Sequence, residues 1–172
     1  MPAVSLYKVS APIFVQHLTA MAGVLDKAAA AADARKLNQE DILNMRMYPD
    51  MFPFVRQVRQ MTFHAVTACA NCAGVAPPQF SDTEKSLGDL KARVNTAIEF
   101  VKSIKPNQID GTEDKDITLK LGSNERKFKG QALLLNFILP NFYFHCTTAY
   151  DLLRHCGIEL GKRDFMSTPV NS

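Results

Sequence analysis

Four long stretches of this chain repeat apolar residues at helical spacing, and prolines or glycines separate them. The first stretch runs from about Leu6 to Ala34, the second from Pro49-Asp50 to near Gly74, the third from Ser81 or Asp82 to before Pro106, and the fourth from Gln131 to about Cys156. Four amphipathic helices of this length predict an all-α fold, a four-helix bundle.

Shorter elements fill the connections between these helices. Residues Ile117 to Lys129 alternate apolar and polar side chains on both sides of a Gly-Ser-Asn turn, which predicts a small β-hairpin before the last helix. Residues 36–48 predict a loop or short helix, and the tail from Glu159 to Ser172 reads as irregular. With 172 residues, 47% of them hydrophobic, we expect one domain over residues 1–172.

Charge and hydropathy exclude several classes of partner. Twenty basic and seventeen acidic residues give a net charge of +3, too weak to imply a nucleic-acid partner. No apolar run approaches the ~18 residues of a membrane span. The first residues lack a basic start and carry Lys8 within an apolar stretch, so they do not predict a signal peptide. We therefore expect a cytoplasmic protein without nucleic-acid or membrane partners.

The predicted inward face of the fourth helix is polar at its centre. Its seam steps by four and three residues through Leu134, Ile138, Asn141, His145, Thr148 and Leu152. A buried Asn or His left without a partner costs about 1–3 kcal/mol, so we expect other groups to meet Asn141 and His145. Pro140 removes one helical hydrogen bond beside this pair, which predicts a bend there.

The second helix offers a matching row of residues. Asp50, Gln57 and His64 lie on it among apolar side chains, and Asp50 also suits the helix cap. We predict a polar core pocket with Asp50, Gln57, Asn141 and His145 as its ligand-binding residues. His17 on the first helix, His64 and His145 are the alternative, a three-histidine zinc-type site, although histidines on apolar faces are more often satisfied core residues.

Other chemical signatures are weak. Cys69-Ala-Asn-Cys72 lies late in a helix rather than at a strand-to-helix turn, and Ala73 follows where haem attachment needs a histidine. We expect most of the four cysteines to be buried, small apolar residues. The sequence contains no dinucleotide-binding, phosphate-loop, nucleophile-elbow or H-E-x-x-H motif.

Three segments carry a resemblance that covers essentially the whole chain. The first is PNFYFHCTTAYDLLRHCG from Pro140, followed by LGKRDF from Leu160. The second is PDMFP from Pro49, together with Gln57-Val58, and the third is PPQFSDTE from Pro77. Together they resemble an uncharacterised family, a domain of unknown function, in the DinB/YfiT-like superfamily of four-helix bundles.

The resemblance implies where a metal would sit. Metal-binding members of the superfamily take one histidine from the second helix and an H-x-x-x-H pair from the fourth. These positions fall on or next to Gln57, on Asn141 and on His145, so one of three histidines is kept. Because amides bind zinc and nickel poorly, we expect no cofactor; a divalent Zn or Ni ion, if held, would use His145 with Asn141, Gln57 or His64.

Three hypotheses follow, and they leave open whether the protein is an enzyme. The first is a degenerate metal site that binds a small molecule or serves as a polar network. The second is a metal-dependent enzyme of thiol-transferase or hydrolase type. The third is a non-catalytic interaction protein whose polar core fixes helix register. Because bundles of this superfamily often pair through helix faces, we also expect a homodimer.

Overall fold

Four long helices form the bundle that the apolar spacing predicts. The structure, a computed structural model, describes residues 4–122 and 124–167. In chain order the elements are α1 (Ala11–Arg35), α2 (Gln39–Asn44), α3 (Phe54–Ala73), α4 (Leu87–Ser103), α5 (Pro106–Ile109), β1 (Asp116–Leu121), β2 (Asn124–Lys129), α6 (Gly130–Ala132), a π-helical segment (Leu133–Ile138), α7 (Leu139–His155) and α8 (Lys162–Met166). The core lies between α1, α3, α4 and α7.

Cross-helix contacts define the directions of the four helices. Helices α1 and α7 are parallel, because Phe14 meets Phe142 near their starts and Arg35 meets Gly157 at their ends. Helix α4 is antiparallel to α1, and α3 is antiparallel to α7. The second and third long helices therefore run in the same direction, and residues 75–86 must return along the bundle to join them.

This return segment is held by one buried guanidinium group. Arg93 on α4 donates from Nη1 to Asp82 Oδ1 at 2.7 Å and to Glu84 Oε1 at 2.8 Å. Its Nε donates to Thr62 Oγ1 on α3 at 2.7 Å, and Phe80 stacks on the guanidinium at 4.1 Å. Arg93 thus joins the return segment to both parallel helices.

Two helix starts differ from the sequence predictions. Ser86, not Ser81 or Asp82, caps α4, because its hydroxyl accepts the Asp89 amide while the acidic side chains upstream bind Arg93. Residues Pro49 and Asp50 lie in a turn, and α3 begins at Phe54 after Pro53. The Asp50 cap is therefore wrong; the Phe54 amide instead donates to the carbonyl of Met45 in the preceding loop.

Helix α1 also begins later than predicted. It starts at Ala11, because residues 6–10 form a turn in which the Ser10 hydroxyl donates to the Leu6 carbonyl. Pro12 lies at the second helical position, where its missing N–H costs little. The predicted loop or short helix after α1 contains the six-residue helix α2.

The last helical stretch is continuous from Gly130 to His155, close to the predicted span. Gly157, at φ 73°, follows its end. The disturbance predicted at Pro140 takes the form of the π-helical segment just before it, where the Leu139 amide donates to the carbonyl of Leu134, five residues back. Isolated π turns of this kind frequently occur at functional sites.

The hairpin and the tail complete the chain. Strands β1 and β2 are antiparallel, as predicted, and Ile117 and Leu119 are buried against the helices. The tail is not irregular throughout, because Lys162–Met166 forms α8 against α1; residues 168–172 of the predicted irregular tail lie outside the described residues. Within the described ranges, no helix combines the length and apolar character needed to cross a membrane.

Candidate functional site

The centre of the candidate site is a hydrogen bond between α7 and α3. His145 Nδ1 lies 2.7 Å from Gln57 Oε1, and Gln57 Nε2 donates to the Phe52 carbonyl at 3.0 Å. The second contact orients the amide, so its oxygen accepts and the imidazole Nδ1 donates. Neutral His145 therefore keeps its proton on Nδ1, and Nε2 carries the free lone pair.

Both partners are buried, as the polar seam predicts. Gln57 is 1% exposed and His145 is 7% exposed. Burial lowers the pKa of His145 to about 4, so its ring is neutral at pH 7. The structure shows that the group that meets His145 is Gln57, and the role of the two residues in binding a ligand stays a prediction.

Two rings lie in planes nearly parallel to that of His145. Phe52 lies 6.3 Å from His145 at 8°, and His64 lies 5.6 Å from it at 11° between planes. Phe144, 55% exposed, meets the His145 ring edge-on, and the Arg56 guanidinium covers Phe52 at 3.7 Å. The rings of Phe52 and Phe144 are more exposed than that of His64, which also lies beside His145.

His64 lies deeper in the same row. It is 4% exposed, and its Nδ1 has no hydrogen-bond partner among the described residues. Burial, reinforced by the nearby His145, lowers the pKa of His64 to about 4. Two neutral imidazoles thus lie side by side at the interface of α3 and α7.

Two of the four predicted ligand-binding residues are not part of this cluster. Asn141 Nδ2 donates to the Phe137 carbonyl at 2.7 Å, within its own helical stretch. This contact satisfies a carbonyl next to the turn that Pro140 disrupts, so the amide does not reach His145. Asp50 is exposed in the turn before α3. The structure brings together Gln57 and His145, and it adds His64 and Phe52.

The three-histidine alternative is wrong. His17 packs against Phe142, Tyr143 and Phe165, at ring distances of 5.1 to 6.2 Å, away from the α3–α7 interface. In the part of the chain that the structure describes, no group of three or more His, Cys, Asp or Glu side chains is placed to hold a metal ion.

The remaining residues do not fit the metal that the resemblance implies. The Gln57 oxygen is occupied by His145, and the Asn141 amide by Phe137. His64 and His145 are two imidazoles, whereas a zinc site usually takes at least three protein ligands, and no further His, Cys, Asp or Glu side chain joins them among the described residues. This arrangement suits hydrogen bonding rather than chelation.

The cysteines behave as the sequence predicts. Cys69, Cys72 and Cys146 are buried, and burial raises the pKa of each, that of Cys146 to about 12. Cys156 is half-buried. Thiols of this kind are poor nucleophiles at neutral pH.

The predicted pocket around Gln57, Asn141 and His145 stays a prediction. Five cavities of the described residues, from 240 to 660 Å³, are lined by side chains other than Gln57, Asn141 and His145.

Comparison with known proteins agrees with the fold. A crystal structure of a DinB family member protein from Shewanella denitrificans matches with a TM-score of 0.84 and 27% sequence identity, covering 97% of this chain and 95% of that chain. The chain is thus a mostly helical, DinB-like protein. Residues 6–166 match the family DUF1993, a domain of unknown function, and the chain belongs to that family. No curated protein matches it.

Proposed function

We propose that this DUF1993 protein is a metal-independent DinB-like binding protein. In this proposal Gln57 and His145 form a hydrogen-bonded pair where metal-binding members of the superfamily hold an ion. The 2.7 Å contact between Nδ1 and Oε1 is the observation that supports it, because it uses the amide oxygen and fixes the imidazole tautomer. The unpaired lone pair then belongs to Nε2 of His145.

The chemistry around that lone pair indicates the class of ligand. Nε2 is an acceptor, since the ring is neutral at pH 7. The rings of Phe52 and Phe144 lie beside the His145 ring and offer aromatic surfaces. We infer a small planar molecule that donates one hydrogen bond, of which phenol is the simplest example.

Thermal unfolding with two matched probes tests this proposal. Phenol donates a hydrogen bond, whereas anisole has the same ring but no donor. A ligand that binds the folded state raises the melting temperature. We expect phenol at low millimolar concentration to raise it in the wild type relative to anisole, and His145→Phe to abolish the difference. Equal effects of the two probes, or an unchanged difference in His145→Phe, would contradict the proposal.

A metal-dependent enzyme of thiol-transferase or hydrolase type is the second candidate. The observation in its favour is His64, whose Nδ1 has no partner among the described residues and whose ring lies 5.6 Å from His145. Such an enzyme would need a third protein ligand beside these two imidazoles. Metal titration, described at the end of the Discussion, separates it from the first candidate.

We further propose a homodimer formed through the exposed side of the last helical stretch. Leu135 and Tyr143 each expose more than a third of their surface there. Sedimentation of the wild type is expected to give twice the chain mass of 19.1 kDa, and Leu135→Glu to favour the single chain. A wild-type monomer at micromolar concentration would contradict this proposal.

A further inference from the structure

The third buried histidine lies in a cage of aromatic rings. His17 on α1 is 5% exposed, and its Nδ1 has no hydrogen-bond partner in the described ranges. Tyr143 lies 5.1 Å from it, and Phe165 lies 5.2 Å from it. Phe165 belongs to α8, so one wall of the cage comes from the C-terminal helix.

Helix α8 lies on the surface of the bundle, and hydrogen bonds, one ion pair and partly buried aromatic packing hold it there. Gln16 Nε2 donates to the Met166 carbonyl at 2.7 Å, and Lys27 pairs with Asp164 at 2.7 Å. Phe165 packs on Tyr150 at 5.6 Å, and α8 contains no buried residue. Docking at the surface contributes little free energy, so one unfavourable charge beneath α8 can shift the equilibrium from the docked to the released helix.

We propose that α8 is an acid-sensitive clasp, released when His17 takes up a proton. In the docked state a second ring N–H would point from Nδ1 into an apolar cage without an acceptor. Release of α8 removes Phe165 and lets water reach the ring. The charged imidazole is then hydrated, so protonation favours the released state.

The sign of the pH dependence follows from the same burial. Burial lowers the pKa of His17, more than the hydrogen bond with the Phe165 backbone raises it. Once α8 is released, the ring returns towards its usual pKa of 6.5. The docked state is therefore fully favoured above about pH 6.5, and its population decreases as the pH falls below that value.

Neighbouring groups keep their charge over this range. The hydrogen bond from Lys27 holds the pKa of Asp164 below its usual value, so the ion pair persists in mild acid. Burial raises the pKa of Tyr143, so its phenol is neutral in this range. The titratable and charged groups around the cage and clasp are Tyr143, Tyr150, Asp164, Lys27, Lys162 and Arg163.

Hydrogen exchange followed by NMR tests the clasp on the full chain. Amide protection in α8 is measured at pH 7.5, 6.5 and 5.5 and corrected for the intrinsic exchange rate. We expect protection to fall by up to about tenfold at pH 5.5, because one group shifts the opening equilibrium by at most that factor per pH unit. The amides of α4 should stay protected.

Two variants make the result specific. His17→Phe keeps the aromatic packing and should make α8 protection independent of pH, whereas His155→Gln, at an exposed position of α7, should behave as the wild type. Gln16→Ala should lower α8 protection at every pH without changing its pH dependence. Constant α8 protection in the wild type, an unchanged slope in His17→Phe, or simultaneous loss in α4 would overturn the proposal.

Discussion

His145 Nδ1 and Gln57 Oε1 lie 2.7 Å apart across two antiparallel helices, both side chains buried. The second-helix metal position that the resemblance implies falls on or next to Gln57, and His145 is the histidine that remains. A neutral hydrogen-bonded pair at this place joins α3 to α7 without an ion.

Removing one member of the pair leaves the other unsatisfied. We expect Gln57→Leu to lower the free energy of unfolding by about 1–3 kcal/mol, because a buried imidazole N–H loses its acceptor. Urea denaturation measures the change. His145→Phe in the same background is the control: the double variant should lose less than the sum of the two single losses. Additive losses would show that the pair is not coupled.

Acid should weaken the fold before the carboxylates titrate. Burial lowers the pKa of His64 from 6.5 to about 4, so stability is complete above pH 6.5 and declines as the pH falls towards 4. For His64 the loss is about 1 kcal/mol at pH 5.5. Urea midpoints at pH 7.5 and 5.5 measure it, and His64→Phe should show a smaller drop. An equal drop in that variant would contradict the assignment.

Gly130 is required by a close backbone approach. A Cβ atom at this position would lie 2.0 Å from the Thr112 carbonyl oxygen, so the chain must shift to accept any side chain. We expect Gly130→Ala to destabilise the protein by more than 2 kcal/mol in urea. Gly23→Ala is the matched control, because nothing lies within 4 Å there and alanine favours the helix by about 0.5–1 kcal/mol. Similar effects of the two substitutions would contradict this account.

Arg93 should carry much of the stability of the return segment. Burial raises the pKa of Glu84, but hydrogen bonds from Arg93 and Arg59 hold it below its usual value overall. Arg93→Met leaves that carboxylate with Arg59 as its one remaining basic partner and removes the bonds to Thr62 and Asp82, which should cost about 3 kcal/mol. Lys91→Met removes the more exposed pair with Asp26 and should cost at most about 1 kcal/mol. Thermal or urea unfolding measures both losses, and equal losses in Arg93→Met and Lys91→Met would contradict this prediction.

The sequence predicts the bundle well, because its evidence is periodic. Apolar spacing locates the four long helices, and alternation around Gly122 locates the hairpin. Helix starts are less accurate, since several residues there suit a cap. Asp82 and Ser86 are both residue types that cap helices. Ser86 is the cap of α4, because Asp82 instead accepts a hydrogen bond from Arg93.

The site is predicted in part for a related reason. Helical spacing places Gln57 and His145 on inward faces, but it does not fix the relative heights of two helices. The spacing places His64 two helical turns after Gln57 along α3, yet its ring lies 5.6 Å from that of His145 in the folded chain. Asn141 lies on the same seam, yet its amide donates to the carbonyl of Phe137 in the π-helical segment.

The metal question is tested most directly by isothermal titration calorimetry of untagged protein with Zn²⁺ and with Ni²⁺. The matched variant Gln57→His, Asn141→His restores the two histidines that the resemblance implies, beside His145. We expect no stoichiometric binding by the wild type and tight one-to-one binding by the variant. Stoichiometric binding by the wild type, lost in His145→Phe, would contradict the metal-independent account and support a metal-dependent enzyme.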